Sequence, residues 1–133
     1  MALLATSDEL VEELQTSDVL VLSVPIYNFS VPATLKAYID LVDRAGVTFR
    51  YGENGPVGLL KDRKTYVVVT SGGIPLGSDF DDVSGYVRQV LAFLGITDVE
   101  FVAADQLARD PEAAVMTARQ QIGESLEQVA VAV

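Results

Sequence analysis

The pattern of apolar and polar positions divides the 133-residue chain into alternating helices and strands. Thr6 followed by Glu9 is a capping-box pair, which predicts a helix that starts at Thr6 and runs to about Gln15. The aliphatic run at residues 19–22, which continues to Pro25, is typical of a strand buried on both faces, as in a parallel sheet.

A second helix and a long loop are predicted next. Ser30 and Pro32 begin the helix, apolar residues keep helical spacing along it, and it stops near Gly46. Residues 46–58 hold four glycines, one proline and an Asn54-Gly55 turn signal, so they predict an irregular loop. A loop of this length inside a compact domain is usually functional.

The second half of the chain continues the alternation. Residues 65–70 predict a strand, and a regular apolar spacing predicts a third helix that ends at Gly95, with members Val83, Tyr86, Val87, Val90, Leu91 and Leu94. Residues 98–103 predict a third strand, and Asp110 with Pro111 begins a last helix that runs to about Val129. This order predicts one α/β domain with a parallel sheet and helices on both faces.

Charge and composition exclude several function classes. Nine basic and nineteen acidic residues give a net charge of −10, which disfavours nucleic acid and anionic membrane surfaces as partners. No apolar run reaches the roughly 18 residues of a membrane span, and acidic residues directly follow the apolar start, so neither a span nor a signal peptide is expected. The chain has no Cys and no His, which removes thiolate and imidazole chemistry and the usual metal ligands. If it is an enzyme, a cofactor is expected to supply the chemistry.

Two loops follow the first and second strands and are expected at the carboxyl edge of the sheet, where ligands bind in open α/β sheets. The first loop carries Tyr27, Asn28 and Phe29, and the second carries Gly72 and Gly73. Aromatic faces and an amide suit a flat heteroaromatic ligand, and paired glycines allow close approach of the backbone. The two aromatics are equally compatible with capping the core, paired glycines more often make only a tight turn, and Asn28 is also compatible with a local turn-maker.

Other side chains are expected to be structural. Tyr38, Tyr86 and Phe93 lie at helical spacing and are expected in the core. Asp81 and Asp82 are expected to provide negative charge at a helix N-terminus, and Glu124 and Glu127 to lie on a solvated face. Arg44, Arg50 and Arg88 are candidates for attracting an anionic substrate, and each is equally compatible with an ordinary surface charge.

Several stretches of the sequence resemble the FMN-dependent NADH azoreductases, which belong to the flavodoxin-like NAD(P)H:quinone reductases. The resemblance covers essentially the whole chain from about Leu3. The stretches are VPIYNF (24–29), LKAYID (35–40), RAGVTFRY (44–51), ENGP (53–56), TSGG (70–73) and LGITDV (94–99).

The resemblance implies a flavodoxin-like three-layer α/β/α domain that binds FMN non-covalently at a homodimer interface in the cytoplasm. NADH would reduce the flavin by hydride transfer to N5, and a quinone or azo compound would then take the electrons. The flavin ring would lie along Pro25, Ile26, Tyr27, Asn28 and Phe29, and its pyrimidine end would meet Ser71, Gly72 and Gly73. Tyr51 and Phe93, the latter reaching over from the partner subunit, would line the substrate pocket, with no catalytic side chain and no metal.

The sequence departs from this family in two places. Family members begin with a strand, a serine-rich phosphate-binding loop, a helix and a second strand, so this domain is expected to be N-terminally truncated. The Ser71-Gly72 junction is also one residue shorter. The first departure predicts an exposed aliphatic edge at residues 19–24. It therefore also predicts a tight oligomer whose interface contains this strand or its flanking helices. A non-catalytic remnant that has lost FMN and acts as a dimerising or partner-binding module is the alternative function, and a longer natural chain is a further alternative.

Overall fold

The computed structural model describes residues 2–132; Met1 and Val133, the ends of the expected domain, lie outside the described residues. Its elements, in chain order, are α1 (Ala2–Thr16), β1 (Val19–Pro25), α2 (Ala33–Val42), β2 (Phe49–Gly52), β3 (Gly55–Gly58), β4 (Lys64–Thr70), α3 (Val83–Leu94), β5 (Val99–Ala104) and α4 (Pro111–Val131).

The main sheet is parallel and has the strand order β1-β4-β5. Val19 to Pro25 pair in register with Lys64 to Thr70, and β4 pairs in the same sense with β5. The alternation of elements therefore gives the α/β fold class that the sequence predicts. Since β1 lies at the edge of this sheet, the predicted exposed aliphatic edge is confirmed.

Two apolar cores lie on opposite faces of the sheet. The larger core joins α1, α2 and α3 to one face, with Val24, Val67 and Val69 fully buried beneath the helices. The smaller core lies under α4, where Ala118 packs with Val102 and Ala104. Within residues 2–132 the three layers are unequal, because three helices cover one face of the sheet and α4 alone packs on the other.

The prediction that β1 is buried on both faces is wrong. Val19 is half exposed and Val21 is 65% exposed, whereas Val24 is 1% exposed. The difference arises because α4 packs over β5 and leaves the same face of β1 uncovered. A continuous aliphatic run indicates what a strand can bury, but its neighbours decide what it does bury.

The predicted cap at Thr6 is also wrong. Helix α1 begins at Ala2, four residues earlier, because residues 2–5 are good helix formers that extend the helix upstream of the motif. The neighbouring Ser7 is buried, and its hydroxyl donates to the carbonyl of Leu41 at 2.5 Å, which ties α1 to α2.

Residues 46–58 form a hairpin rather than the irregular loop that the glycines predict. Phe49 pairs with Gly58 and Gly52 pairs with Gly55, in antiparallel register. Gly55 has a φ of 116°, which explains the turn signal there. Helix α2 ends at Val42, and Gly46, with a φ of 80°, instead begins the turn into the hairpin.

A close backbone contact attaches this hairpin to the end of α3. A Cβ added to Gly58 would lie 2.2 Å from the amide nitrogen of Gly95, so these two backbones need glycine to approach. Gly95 ends α3 with a left-handed φ of 108°, as predicted. At α4, the Asp110 carboxylate accepts from the amide of Ala113 at 3.0 Å, which confirms the predicted N-cap.

Candidate functional site

The first loop of the candidate site is a tight turn at the carboxyl end of β1. Tyr27 and Ser30 exchange backbone hydrogen bonds at 2.9 and 3.0 Å, and Asn28 and Phe29 between them have φ values of 50° and 67°. Two positive φ values at the centre of a turn are typical of the I′ type. Asn tolerates this conformation, but a bulky residue such as Phe adopts it rarely and at an energetic cost.

This turn presents its aromatic side chains to solvent. Tyr27 is 60% exposed and Phe29 is 56% exposed, so neither ring fills the core of this chain. Strained backbone that holds exposed aromatics at a ligand-binding edge points to a role in binding. The alternative in which both rings cap the core therefore does not describe them.

The second loop starts at Ser71, whose side chain is used inside the protein. Ser71 is 5% exposed; its hydroxyl donates to the carbonyl of Ile74 and accepts from the amide of Gln106 at 3.3 Å. Its own carbonyl accepts from Leu107 at 3.0 Å. The Ser71 hydroxyl and carbonyl both have internal partners, so its role is to fix the start of this loop.

Gly72 and Gly73 are exposed, and the Gly72 carbonyl accepts from the amide of Ala108 at 2.9 Å. Neither has a left-handed φ, and a Cβ added to either would meet nothing within 4 Å. A tight turn does not explain glycine here, because no unusual φ requires it. The open space beside both residues instead suits a ligand that lies close to the backbone.

Acidic side chains hold the remainder of the second loop in place. The Asp105 carboxylate accepts from the amide of Leu76 at 2.6 Å. Asp81 accepts from the amides of Gly77, Val83 and Ser84, so it also caps α3, as the predicted helix-terminal charge implies. Partial burial raises the pKa of Asp81, but these hydrogen bonds outweigh burial and hold the pKa below its usual range.

The two loops themselves carry no cationic side chain. Residues 25–30 and 71–80 contain no Lys or Arg, and Asp79, Asp81 and Asp105 lie on or beside the second loop. A phosphate would meet no cationic side chain from either loop, whereas a flat ring would meet exposed aromatics and open glycine backbone. The two loops therefore suit the ring of a ligand better than an anionic tail.

Tyr51 and Phe93 lie together at the opposite end of the sheet. The Phe93 and Phe49 ring centroids are 4.6 Å apart, and Tyr51 meets Phe49 edge to face at 5.4 Å. Phe93 is on the last turn of α3, where the Leu60 amide donates to the Leu94 carbonyl at 3.0 Å, just before β4 begins. The seven residues of β4 span roughly 20 Å, so the fold does not bring Tyr51 and Phe93 to the two loops of the same chain.

A model of the flavodoxin-like fold matches residues 2–126. The chain belongs to the flavodoxin-like fold family. This membership confirms the predicted fold and the resemblance on which the prediction rested. The two loops lie at the carboxyl edge of the parallel sheet, which is where open α/β sheets bind ligands.

Curated relatives of this flavodoxin-like chain carry a common name. This chain is 59% identical over 124 residues to FMN-dependent NADH:quinone oxidoreductase 1 of Hahella chejuensis. The match covers 93% of this chain and 61% of that protein. It is 57% identical over 119 residues to the protein of the same name from Jannaschia sp., covering 90% and 62%. The chain thus spans about three-fifths of the length of these relatives.

A solved structure agrees with the same grouping. The crystal structure of a FMN-dependent NADH-azoreductase from Bacillus anthracis in complex with FMN matches this flavodoxin-like chain with a TM-score of 0.85 and 32% identity. The match covers 95% of this chain and 62% of that one.

Sequence reasoning missed two aromatics that the structure makes notable. Phe49 is buried between Tyr51 and Phe93 and links them, and its alternation with Tyr51 in a strand was the available signal. Phe80 is exposed in the second loop, between Asp79 and Asp81. The sequence signal for Phe80 was an apolar residue between two acidic residues in a loop.

The candidate arginines have identifiable partners or surroundings. Arg44 pairs with Asp8 and donates to Ser7, and the Arg88 guanidinium lies 4.8 Å from the Phe101 ring. Arg50 is exposed on β2. Among residues 2–132, there is no cluster of three or more acidic, His or Cys side chains placed to hold a metal, and none of the described helices is long and apolar enough to cross a membrane.

Proposed function

We propose that this chain carries the ring-binding half of the FMN site of an FMN-dependent NADH:quinone oxidoreductase. The observation that supports it is the pairing, at one sheet edge, of a strained aromatic turn with an open glycine segment. The names of the relatives identify FMN as the flat ligand to test first.

The residues of both loops fit the flavin ring. Tyr27, Asn28 and Phe29 would lie along it, with the Asn28 amide available to its polar edge, and Ile26 with Pro25 would support the turn from the end of β1. Gly72 and Gly73 would let the pyrimidine end approach the backbone, on a loop start held by Ser71. When bound, FMN would accept a hydride from NADH and pass electrons to a quinone or azo compound.

The chain's own residues would bind and orient, rather than exchange protons. No His or Cys is present, and the Asp81 carboxylate beside the second loop accepts backbone hydrogen bonds that, despite partial burial, hold its pKa below its usual range. This division of labour is expected where a cofactor carries the chemistry. Because NADH is an intracellular metabolite, the cytoplasm is the proposed location.

A homodimer would complete the substrate pocket. Tyr51 is 77% exposed, and its neighbours Val57 and Leu59 are exposed apolar residues on the same hairpin segment. Since Tyr51 and Phe93 lie about one strand length from the loops of their own chain, they could reach a flavin only in a second copy. Removal of the exposed ring by Tyr51→Asp should therefore weaken self-association.

The decisive experiment is a titration of the purified chain with FMN and, in parallel, with riboflavin, followed by flavin fluorescence. A ring-only site predicts similar affinities for the two flavins. The variant Gly72→Val fills the open space beside the loop without an internal clash. It should weaken the binding of both FMN and riboflavin by at least tenfold. Gly123→Val, at an equally open position on α4, is the matched control and should leave the affinities for FMN and riboflavin unchanged.

Failure of both flavins to bind a folded chain would remove this proposal. It would favour the second candidate function, a non-catalytic flavodoxin-like module that binds protein partners. The observation that keeps this candidate in view is the uncovered apolar face beside β1.

A further inference from the structure

The loop that follows β5, residues 105–110, is attached to the second loop of the candidate site and is here called the third loop. The amide of Ala108 donates to the carbonyl of Gly72 at 2.9 Å. One residue earlier, the amide of Leu107 donates to the carbonyl of Ser71 at 3.0 Å. The third loop therefore lies directly beside the glycine segment, at the same carboxyl edge of the sheet.

Gln106 in the third loop combines a strained backbone with an unused side chain. Its φ is 55°, in the left-handed region that residues other than glycine adopt rarely. The residues on either side hold this conformation, because Asp105 accepts from the amide of Leu76 at 2.6 Å and Leu107 is bonded to Ser71. Within residues 2–132, the Gln106 carboxamide has no hydrogen-bond partner. Strain that presents a free polar group at a ligand-binding edge points to a role in binding.

Arg109 brings a free positive charge to the third loop. Its side chain is exposed, and no carboxylate of residues 2–132 pairs with it. Arg109 and Gln106 both line a pocket of 200 Å³ between the third loop and the start of α4. The other residues that line this pocket are Asp105, Asp110, Ala113, Ala114 and Thr117. Both of its carboxylates already accept a backbone amide, so the guanidinium and the carboxamide are groups that a ligand can use.

The other basic side chains are poorly placed to meet an anion at this edge. The first and second loops contain no Lys or Arg. Four basic residues are engaged in ion pairs or hydrogen bonds, namely Lys36, Arg44, Arg63 and Lys64. Arg88 lies over the Phe101 ring, Arg50 is on the hairpin at the opposite end of the sheet, and Lys61 precedes β4 at that same end. Arg119 lies further along α4, outside the pocket.

The proposed electron donor, NADH, is an anion with two chemically different halves. Its nicotinamide ring is flat and would lie against the flavin, whereas its diphosphate is negatively charged and would lie beyond the flavin ring. A guanidinium pairs with phosphate through parallel hydrogen bonds, which makes arginine the side chain best suited to this group. The net charge of −10 repels NADH at long range, so a local cation beside the ring has the more to contribute.

We propose that Arg109 binds the diphosphate of NADH and that Gln106 forms hydrogen bonds with the ribose beside it. This inference rests on the proposed function, because it takes NADH as the electron donor and places the flavin ring against Gly72. The third loop would then hold the half of NADH that does not react. Binding of this half would position the nicotinamide ring for hydride transfer without any cation in the two ring-binding loops.

The kinetic test compares two hydride donors in the FMN-loaded chain with a quinone acceptor. The donors are NADH and 1-benzyl-1,4-dihydronicotinamide, which has the same reacting ring and no diphosphate. Arg109→Gln should raise the KM for NADH by about tenfold, as expected for the loss of a hydrogen-bonded charge pair, and should leave the KM for the benzyl donor unchanged. Arg119→Gln removes an equally exposed arginine outside the pocket, so this matched control should change neither KM.

Binding is measured separately by calorimetric titration with ADP-ribose, which contains the diphosphate and lacks the nicotinamide. Arg109→Gln should weaken this binding by about tenfold. Gln106→Gly should weaken it as well, and this variant should fold, because glycine adopts a φ of 55° without strain. The riboflavin affinity of both variants should equal that of the parent chain, which shows that the ring site is unchanged.

Three results would overturn the proposal. These are a parent chain that does not bind ADP-ribose, an ADP-ribose affinity that Arg109→Gln leaves unchanged, and an equal rise in KM for both donors. The last result would show that the loss does not come from the diphosphate. Failure of the parent chain to bind either flavin would instead remove the proposed function, and the ADP-ribose titration would still report whether Arg109 binds a diphosphate.

Discussion

Glycine serves two different purposes in this chain. At Gly58 and Gly95 two backbones touch, and a side chain on either would overlap backbone atoms of the other segment. At Gly72 and Gly73 the space beside the backbone is empty. The first pair is explained by the fold, and the second pair requires a reason outside it.

Replacement of Gly58 should test the first purpose. Gly58→Ala would put a Cβ 2.2 Å from the Gly95 nitrogen, which only a backbone shift can relieve. We expect the free energy of unfolding in urea to fall by about 1–3 kcal/mol, as for other overpacked sites. Gly85→Ala, in α3 with nothing near its Cβ, should instead leave stability unchanged or raise it by up to about 1 kcal/mol.

Asp62, just before β4, connects to the segment just before β5. Its carboxylate accepts from the hydroxyl and amide of Thr97 at 2.6 and 2.8 Å, and from the amide of Asp98 at 3.2 Å. These hydrogen bonds favour the ionised form and lower the pKa of Asp62 from 3.8 to about 2. The carboxylate is exposed, so its contribution to stability is moderated by solvent.

The lowered pKa of Asp62 determines the direction in which stability changes with pH. The contribution of Asp62 is fully present above pH 3.8 and is lost as the pH falls towards about 2, because the unfolded chain then binds the proton first. Unfolding measured in urea should show Asp62→Asn to be less stable than the parent at neutral pH, with the gap closing below pH 3.8. A gap that stays constant down to pH 2 would contradict this assignment.

At the scale of elements, the hairpin of β2 and β3 has a buried side and a presented side. Phe49 is buried against Phe93, whereas Tyr51, two residues along the same strand, is 77% exposed. The hairpin is therefore held by one aromatic and displays the other. A substitution of Phe49 should therefore lower the stability of the chain, whereas a substitution of Tyr51 should affect function and leave stability nearly unchanged.

The separation can be measured with two truncations. Phe49→Ala removes a buried ring and should lower the free energy of unfolding by about 3–5 kcal/mol. Tyr51→Ala should change it by less than about 0.5 kcal/mol, as at other exposed positions. If Tyr51→Ala were as damaging as Phe49→Ala in urea unfolding, Tyr51 would be part of the hairpin's support rather than a displayed residue.

At the scale of the whole molecule, strong negative charge opposes the association that the open surfaces favour. Each chain carries a net charge of −10, so two copies repel at long range. The hairpin aromatics and the exposed valines of β1 are apolar, so contact at either gains from burial. Association should therefore depend on ionic strength in the direction opposite to a salt-bridged interface.

Sedimentation can test this balance. Between about 0.01 M and about 0.15 M salt the Debye length falls from about 30 Å to about 8 Å, which screens the repulsion. The dissociation constant of the proposed homodimer should fall over this range. A constant that rises with salt would indicate that ion pairs, rather than apolar contacts, hold the dimer.

The sequence by itself determined the main elements, because their signals are local. The spacing of Val83 to Leu94, the Gly95 stop and the Asp110 cap each depend on neighbours within one helical turn. The edge that carries both loops also followed from sequence, since parallel strands in such a sheet end together. Apolar periodicity and turn chemistry are therefore sufficient for the α/β order and for the location of the candidate site.

Only the tertiary structure decided what each residue meets. The burial of β1 depended on where α4 packs, and the hairpin depended on contact between Gly58 and Gly95, 37 positions apart in the chain. The use of Ser71 inside the protein, and the distance of Tyr51 and Phe93 from the two loops, likewise come from non-local packing. Such contacts join residues that no local pattern relates, so their outcome is set by the assembled fold.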